Sequence, residues 1–304
     1  MQSYPKQLAN EEKKIPNFLK FVFGGSAGMA GMCFVQPLEL LKNRMQVTKG
    51  QASLVEVLGG IIAEKGVRGL WTGLSAGLAR QATYTTTRLG MYTVLFDMAK
   101  SADGTPPGYA LKAGIAMIAG LCGAFVGTPT DLALVRMTAD GRLPPAERRH
   151  YKHVFDALIR IYREEGLFKL WRGAVPTMGR AVVVNAAQLA TYSQAKQMLQ
   201  QSLQIKDGVL LHFLSSMLSG LVTSVASMPI DMMKTRYQNM KVVDGKPEYS
   251  SPVHVLTSVV KNEGVLALWR GFLPYYFKIG PHTVLTFIFL EQFNKAYLKF
   301  KYGD

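Results

Sequence analysis

The chain has 304 residues, 48% hydrophobic and 18% charged, with 35 Lys and Arg against 20 Asp and Glu and a formal charge of +15. A soluble domain carries about 25% charge, and 29 Gly, 15 Phe and 13 Tyr among so many apolar residues exclude a disordered basic tail. Net charge alone leaves a nucleic-acid-binding protein open, so the placement of the cations decides.

Residues 1–20 contain no arginine, carry Glu11 and Glu12 and lack an apolar core with a cleavage site, which argues against a secretory signal or a cleavable transit peptide. Six windows approach the roughly 20 apolar residues that cross a bilayer: 18–40, 75–98, 110–133, 174–198, 209–233 and 273–295. Each mixes Gly, Ser, Thr or a few ionisable residues with its aliphatics, as helices around a wet interior do. Charge-free runs over 113–130 and 181–195 favour a membrane bundle over six amphipathic helices of a soluble one. Cys33 and Cys122 stand far apart in glycine-rich apolar surroundings and read as small packing residues. His150 and His153 sit among Arg148, Arg149 and Lys152 with no acidic ligand, so they do not read as a metal site.

The first window closes on Pro37-Leu38-Glu39-Leu40-Leu41-Lys42-Asn43-Arg44, which recurs as Pro129-Thr130-Asp131-Leu132-Ala133-Leu134-Val135-Arg136 and as Pro229-Ile230-Asp231-Met232-Met233-Lys234-Thr235-Arg236. Downstream, Lys65-Gly66 leads to Trp71-Thr72-Gly73, Glu165-Gly166 to Trp171-Arg172-Gly173, and Glu263-Gly264 to Trp269-Arg270-Gly271. The chain is therefore a threefold repeat of about a hundred residues, divided as a tail over 1–17 and repeats over 18–105, 106–205 and 206–304, the last with a short C-terminal tail.

A proline inside a helix removes one backbone hydrogen bond and kinks the rod, so three kinks can draw the odd-numbered helices together at one end. The acid two residues after each proline and the base five residues after it share a helical face, and three converging helices then form a ring of alternating charge. Nine residues beyond the tryptophans come Arg80, Arg180 and Lys278, a rise of about 13.5 Å. With the tryptophans at the interface, these cations fall near the middle of an apolar layer about 30 Å thick. Each costs roughly 2.5–3.5 kcal/mol there, so three at one level without a fixed counter-charge predict an anionic ligand. Tyr84 and Arg88 extend the same stripe. Two separated cation sites suggest a dicarboxylate, which guanidinium grips with two parallel hydrogen bonds. Asn185, Gln188, Thr87, His282 and Thr286 are candidates for hydroxyl, imidazole and amide contacts. No nucleophile with a paired base, metal cluster or phosphate loop is evident, so neither enzymatic chemistry nor a cofactor is expected.

Three proline-acid motifs in register with three Gly…Trp-x-Gly motifs make the chain resemble the mitochondrial carrier family over 18–302. The resemblance implies an all-α membrane protein of six transmembrane helices in three tandem two-helix repeats, a pseudo-threefold bundle with short matrix helices near 53–64, 152–165 and 251–263. It implies that the charged ring is a matrix gate in which Asp131 pairs with Lys234 and Asp231 with Lys42. Glu39 faces Leu134, which offers no charge, so two bridges are expected. Gln46 and Gln238 occupy the family's bracing positions, and the equivalent Thr138 is shorter. At the opposite end the family's aromatic-acid-x-x-base motif survives in fragments, Tyr92-Thr93 to Phe96, Tyr192-Ser193 to Lys196 and Leu290-Glu291 to Asn294. One bridge, Lys196 to Glu291, and a weak cytoplasmic gate follow. Trp171, Arg172 and Gly173 with Trp269, Arg270 and Gly271 match the family's cardiolipin positions, and Thr72 weakens the first repeat.

Within the family, the stretches Arg80-Gln81-Ala82-Thr83-Tyr84-Thr85-Thr86-Thr87-Arg88-Leu89-Gly90, Arg180-Ala181-Val182-Val183-Val184-Asn185-Ala186-Ala187-Gln188 and Gly280-Pro281-His282-Thr283-Val284-Leu285-Thr286-Phe287, and the loop Thr138-Ala139-Asp140-Gly141-Arg142-Leu143-Pro144-Pro145, are similar to the branch that exchanges 2-oxoglutarate for malate. Lys278 stands where that branch usually has arginine, which keeps the charge and loses the planar fork. The resemblance implies one-for-one exchange of 2-oxoglutarate, malate and related dicarboxylates across the mitochondrial inner membrane by alternating access, serving the malate–aspartate shuttle. It further implies a functional monomer with both termini facing the intermembrane space, no cofactor and no nucleic acid. The rival expectations are a dicarboxylate/phosphate exchanger or proton-leak uncoupler on the same fold and, in a different class, a basic scaffold or nucleic-acid binder. The loops on the two sides of these windows carry net charges of +10 and +2, and orientation rests on the resemblance and not on the positive-inside rule.

Overall fold

The computed structural model describes residues 15–48, 50, 53–100, 108–144, 147–203, 208–240, 242–243 and 246–302. The tail up to residue 14, the repeat junctions at 101–107 and 204–207, and Pro145 of the matched loop lie outside the described residues. Among the described residues nine α-helices form: α1 (Asn17–Val47), α2 (Leu54–Lys65), α3 (Leu74–Met98), α4 (Tyr109–Ala139), α5 (Val154–Glu165), α6 (Ala174–Leu203), α7 (Val209–Asn239), α8 (Pro252–Glu263) and α9 (Phe272–Tyr302). The only departure from an all-α chain among these residues is a two-residue ribbon, β1 (Val242–Val243) antiparallel to β2 (Lys246–Pro247).

Six helices are long, and they follow one another around a closed ring, α1 beside α3, then α4, α6, α7 and α9, which returns to α1. Three stretches are long and apolar enough to cross a membrane, Phe18–Val47, Ala110–Arg142 and Phe213–Asn239, in α1, α4 and α7. The helices between them carry Arg80, Arg88, Arg180, Lys196, Lys278 and Glu291, whose charges reduce their apolar character. Small residues let the rods approach closely. Gly28 of α1 lies against Gln81 of α3, Gly31 against His282 and Thr286 of α9, and Gly123 and Gly127 of α4 against Tyr84 and Arg88 of α3.

Counting the six long helices in order, α1, α4 and α7 are the odd rods and α3, α6 and α9 the even ones, and the short helices pack on the C-terminal ends of the odd rods through Leu40, Val57 and Ile61, through Leu132, Ile161 and Leu170, and through Met232, Val255 and Leu268. Their N-termini are capped by Ser53, by His153 and by Ser251, which accept from the backbone N–H three residues on. A 3-10 turn then carries each chain to its tryptophan. The following Gly73, Gly173 and Gly271 have φ of 82°, 88° and 83°, a left-handed backbone that glycine adopts without strain. A Cβ on Gly73 would also meet Thr138 of α4 at 2.9 Å, one on Gly173 would meet Gln238 of α7 at 2.7 Å, and one on Gly271 would meet the Lys42 carbonyl of α1 at 3.0 Å. The Trp-x-Gly motif thus docks the start of each even rod on the end of the next odd rod.

The tryptophans have a second task set by the prolines. Pro37, Pro129 and Pro229 lie inside α1, α4 and α7, and each leaves the carbonyl four residues earlier without its helical donor. Trp71 Nε1 donates to the freed Cys33 carbonyl at 2.8 Å, and Trp269 Nε1 to that of Val225 at 2.9 Å. In the second repeat the Trp171 ring lies 5.8 Å from that of Phe125, and its Nε1 has no acceptor among the described residues.

Candidate translocation site

The C-terminal ends of α1, α4 and α7 bring Glu39, Lys42, Asp131, Asp231 and Lys234 together, all buried. Lys234 Nζ of α7 lies 2.9 Å from Asp131 Oδ1 of α4, and Lys42 Nζ of α1 lies 2.8 Å from Asp231 Oδ2 of α7. Glu39, which faces the uncharged Leu134, is not left unanswered: Lys278 of α9 donates to its Oε2 at 2.6 Å. The ring therefore has a third bridge, supplied by an even rod.

The other two cations of that level behave in the same way. Arg180 of α6 pairs with Asp231, and Arg80 Nε of α3 stands 4.0 Å from Asp131. Each even rod thus reaches the acid of the next odd rod, and the expectation of three cations without a fixed counter-charge is corrected. Counting along one helix gives depth, but arginine and lysine are long enough to cross to a neighbour and pair with its acid. Five cations and three carboxylates share this layer, an excess of two positive charges. Arg88 is different: it is exposed, makes no ion pair among the described residues, and its guanidinium lies 5.8 Å from the Tyr84 ring.

The polar candidates divide. Asn185 donates to Ala181 O on its own helix at 2.8 Å and lies against Gly120 of α4. Thr286 donates to His282 O at 2.7 Å and, with His282, packs on Gly31. Gln188 is exposed and Thr87 half-buried. Gln238 Nε2 donates to Asp131 Oδ2 at 3.0 Å, directly beneath an ion pair. Gln46 does not brace the equivalent pair. Its Oε1 accepts from Thr235 at 2.8 Å and its Nε2 points at Met228 Sδ. Thr138 accepts from Asn43 Nδ2 at 3.1 Å.

Two features escape the motif reading. Tyr275, one helical turn before Lys278, is buried beside Lys42, Arg180 and Lys278. Below the ion pairs lies a second closed ring, in which Arg44 Nε donates to Thr138 O at 3.1 Å, Arg136 Nε to Gln238 O at 3.2 Å and Arg236 Nε to Gln46 O at 2.9 Å. The threefold recurrence of those arginines seven residues after each proline was its sequence signal. Glu165 clasps Arg136 and Glu263 clasps Arg236 with both carboxylate oxygens. Lys65 stands at the corresponding place in the first repeat, and Arg44 Nη2 there has no hydrogen-bond partner among the described residues.

The Trp-Arg-Gly arginines turn inward and not toward lipid. Arg172 lies 3.6 Å from Glu165, and Arg270 pairs with Glu263 and reaches Thr48 O. Burial alone pushes the Glu165 and Glu263 carboxyls up, but hydrogen bonds and charge from Arg136 and Arg172, and from Arg236 and Arg270, hold both below the usual carboxylate range. A cavity of about 560 Å³ beside the start of α6 is lined by Trp171, Arg172, Gly173, Tyr237 and Tyr249. Trp269 and Gly271 join α8 to α9 without lining it. At the far end of the bundle Glu291 pairs with Lys295 of its own helix at 2.6 Å, so its predicted bridge to Lys196 is replaced by a local one.

The family model for mitochondrial carrier proteins matches three times, at residues 13–101, 106–203 and 206–301. The chain is 62% identical over 288 residues to the human "Mitochondrial 2-oxoglutarate/malate carrier protein", covering 93% of this chain and 92% of that one. A Caenorhabditis elegans protein of the same name is 55% identical over 296 residues, covering 96% of each. The Arabidopsis thaliana "Mitochondrial uncoupling protein 5" is 39% identical over 303 residues, covering 91% of this chain and 97% of that one. Three repeats, each matched by one family model, establish that the chain belongs to the mitochondrial carrier family of mitochondrial membrane transport proteins.

Proposed function

We propose that this chain is an antiporter that exchanges 2-oxoglutarate for malate and related dicarboxylates, one for one, across the inner mitochondrial membrane, serving the malate–aspartate shuttle. The observation that carries this is the layer in which Arg80, Arg180 and Lys278 each rest on a gate carboxylate already paired with or beside Lys42 and Lys234, which leaves two positive charges in excess, opposite and equal to the charge of one dicarboxylate. The names of the human and worm relatives support the substrate pair.

In this reading all six long helices span the membrane around the substrate path, the ring of Glu39, Asp131 and Asp231 is the matrix gate, and both termini face the intermembrane space. A dianion entering from the opposite side meets Arg88, the uncommitted cation, with Tyr84 and Gln188 nearby on the path. It then competes with Asp131, Asp231 and Glu39 for Arg80, Arg180 and Lys278. Each cation drawn to the substrate weakens one gate contact, and Glu39 keeps no base on α4 to replace Lys278. Without substrate the excess charge disfavours an occluded state, so return requires a second dianion, which makes exchange obligatory. Lys196 and Glu291 belong to the cytoplasmic end, where Glu291 pairs with Lys295 of its own helix. Cardiolipin phosphates bind at the starts of α6 and α9, after Trp171-Arg172-Gly173 and Trp269-Arg270-Gly271, because a helix N-terminus favours phosphate, and the protein works as a monomer without nucleic acid.

The test is uptake of labelled 2-oxoglutarate into proteoliposomes loaded with malate, with phosphate or with nothing. Uptake with internal malate alone is expected. Equal uptake into empty vesicles would remove obligatory exchange, and a preference for internal phosphate would make the chain a dicarboxylate/phosphate exchanger.

A further inference from the structure

Tyr275 is where the gate and the cation level touch. It is 5% exposed, and Lys42 of α1, Lys278 of α9 and Arg180 of α6 stand 4.9, 5.5 and 5.8 Å from its ring centroid. Its hydroxyl accepts a hydrogen bond from Arg180 Nη2 at 2.8 Å. Three like charges from three helices therefore converge on one side chain. The equivalent positions in the other repeats are Gly77 and Thr177, which have no ring, so the pseudo-threefold layer has a single such hub.

Resting on the exchange function above, we propose that Tyr275 is a positioning residue for it: the hydroxyl aims Arg180 at the substrate, and the ring keeps Lys42 and Lys278 in place while a dicarboxylate draws cations off their carboxylates. An aromatic face attracts cations within about 6 Å, most strongly in a desolvated site, and carries no formal charge to compete with the incoming dianion. A lysine that loses its gate acid keeps the ring as a partner, so it is not carried along with the substrate. The hydroxyl orients the Arg180 guanidinium, and a guanidinium grips a carboxylate well only when its fork is aligned.

The two roles separate in variants. Tyr275→Phe keeps the ring and removes the hydroxyl, Tyr275→Leu removes both, and Tyr275→Trp restores an aromatic face. Each is reconstituted with the parent chain as reference, and KM and Vmax for 2-oxoglutarate/malate exchange are measured beside uptake into vesicles without internal substrate. Tyr275→Phe is expected to raise KM by about tenfold, the worth of a hydrogen bond from a charged donor, with Vmax retained and empty vesicles tight. Tyr275→Leu is expected in addition to admit 2-oxoglutarate into empty vesicles, and Tyr275→Trp to close them again. Phe and Leu variants that match the parent, or that share one defect, overturn the role of Tyr275 and leave the exchange function standing. A parent chain that exchanges no dicarboxylate overturns both. If the Leu variant does not fold, the KM shift in the Phe variant and the tight vesicles of the Trp variant decide.

Discussion

The two ends of the bundle handle charge in opposite ways. At the proline end the carboxylates are buried and each is paired across helices, Asp131 to α7 and α3, Asp231 to α1 and α6, Glu39 to α9. At the other end Glu291 pairs with Lys295 and Asp97 with Lys100, within a turn or so of chain and largely in solvent. Cross-helix pairs in a dry setting tie rods together, because removing one partner strands the other. Exposed local pairs contribute little and tie nothing. Among the described residues the ion pairs accordingly latch the rods together at the proline end, and those of Glu291 and Asp97 do not at the other.

Removing one gate acid is the strongest way to break this contrast. Asp231→Ala leaves Lys42 and Arg180 buried without their carboxylate, so a loss of about 3–5 kcal/mol of stability is expected, with exchange abolished. Thermal unfolding of the detergent-solubilised protein and proteoliposome uptake measure the two effects. An unchanged melting temperature would show that the latch does not hold the rods.

Strengthening the latch sharpens the contrast from the other side. Leu134→Lys puts a base on α4 facing Glu39, in competition with Lys278. Exchange is expected to slow by about tenfold, equivalent to ~1.4 kcal/mol of added barrier, while the melting temperature holds or rises. Faster exchange in this variant would contradict the gate reading of Glu39.

A smaller effect concerns the clasps on the arginine ring. Glu165 and Glu263 have depressed folded-state pKa values, so their contribution is complete above the unfolded value of about 4.3 and is lost as pH falls through the folded one. Melting temperature followed through that window should fall toward acid, and Glu263→Gln should flatten the slope. Least of all should change in Glu291→Gln, where a solvated pair is worth no more than about 0.5 kcal/mol. A large loss there would mean that Glu291 is tied to another helix after all.

Much of this architecture was legible because it is local and repeated. The prolines, the acids two residues on, the Trp-x-Gly turns and the six apolar windows each depend on a few neighbouring residues. The repeats also differ in ways the sequence displays, such as Leu134 for a base, Lys65 for a glutamate and Thr138 for a glutamine. The consequences of those differences were not legible. Leu134 pointed to an unpaired Glu39, whereas Lys278 fills the place. Asn185 reads as a ligand from its position beyond Arg180, and the sequence does not show that its amide also donates to Ala181 O and packs on Gly120 of α4. Gln46 has the chemistry of a brace and spends it on Thr235.

By itself, then, the sequence determined the threefold repeat, the prolines inside α1, α4 and α7, the residues of the charged ring and the common level of Arg80, Arg180 and Lys278, because helical rise and period convert spacing along the chain directly into height and face. The pairs Asp131 with Lys234 and Asp231 with Lys42 were expected and are found, and only the tertiary structure decided that Arg80 and Arg180 join the same acids and that Lys278 joins Glu39. Lateral distance depends on how closely glycine-lined rods approach and on how far a long side chain can swing, and neither is encoded in any one helix. That is why the free cations of the sequence became partners of Asp131, Asp231 and Glu39, and why Tyr275, a plain aromatic in the chain, stands among three of the cations.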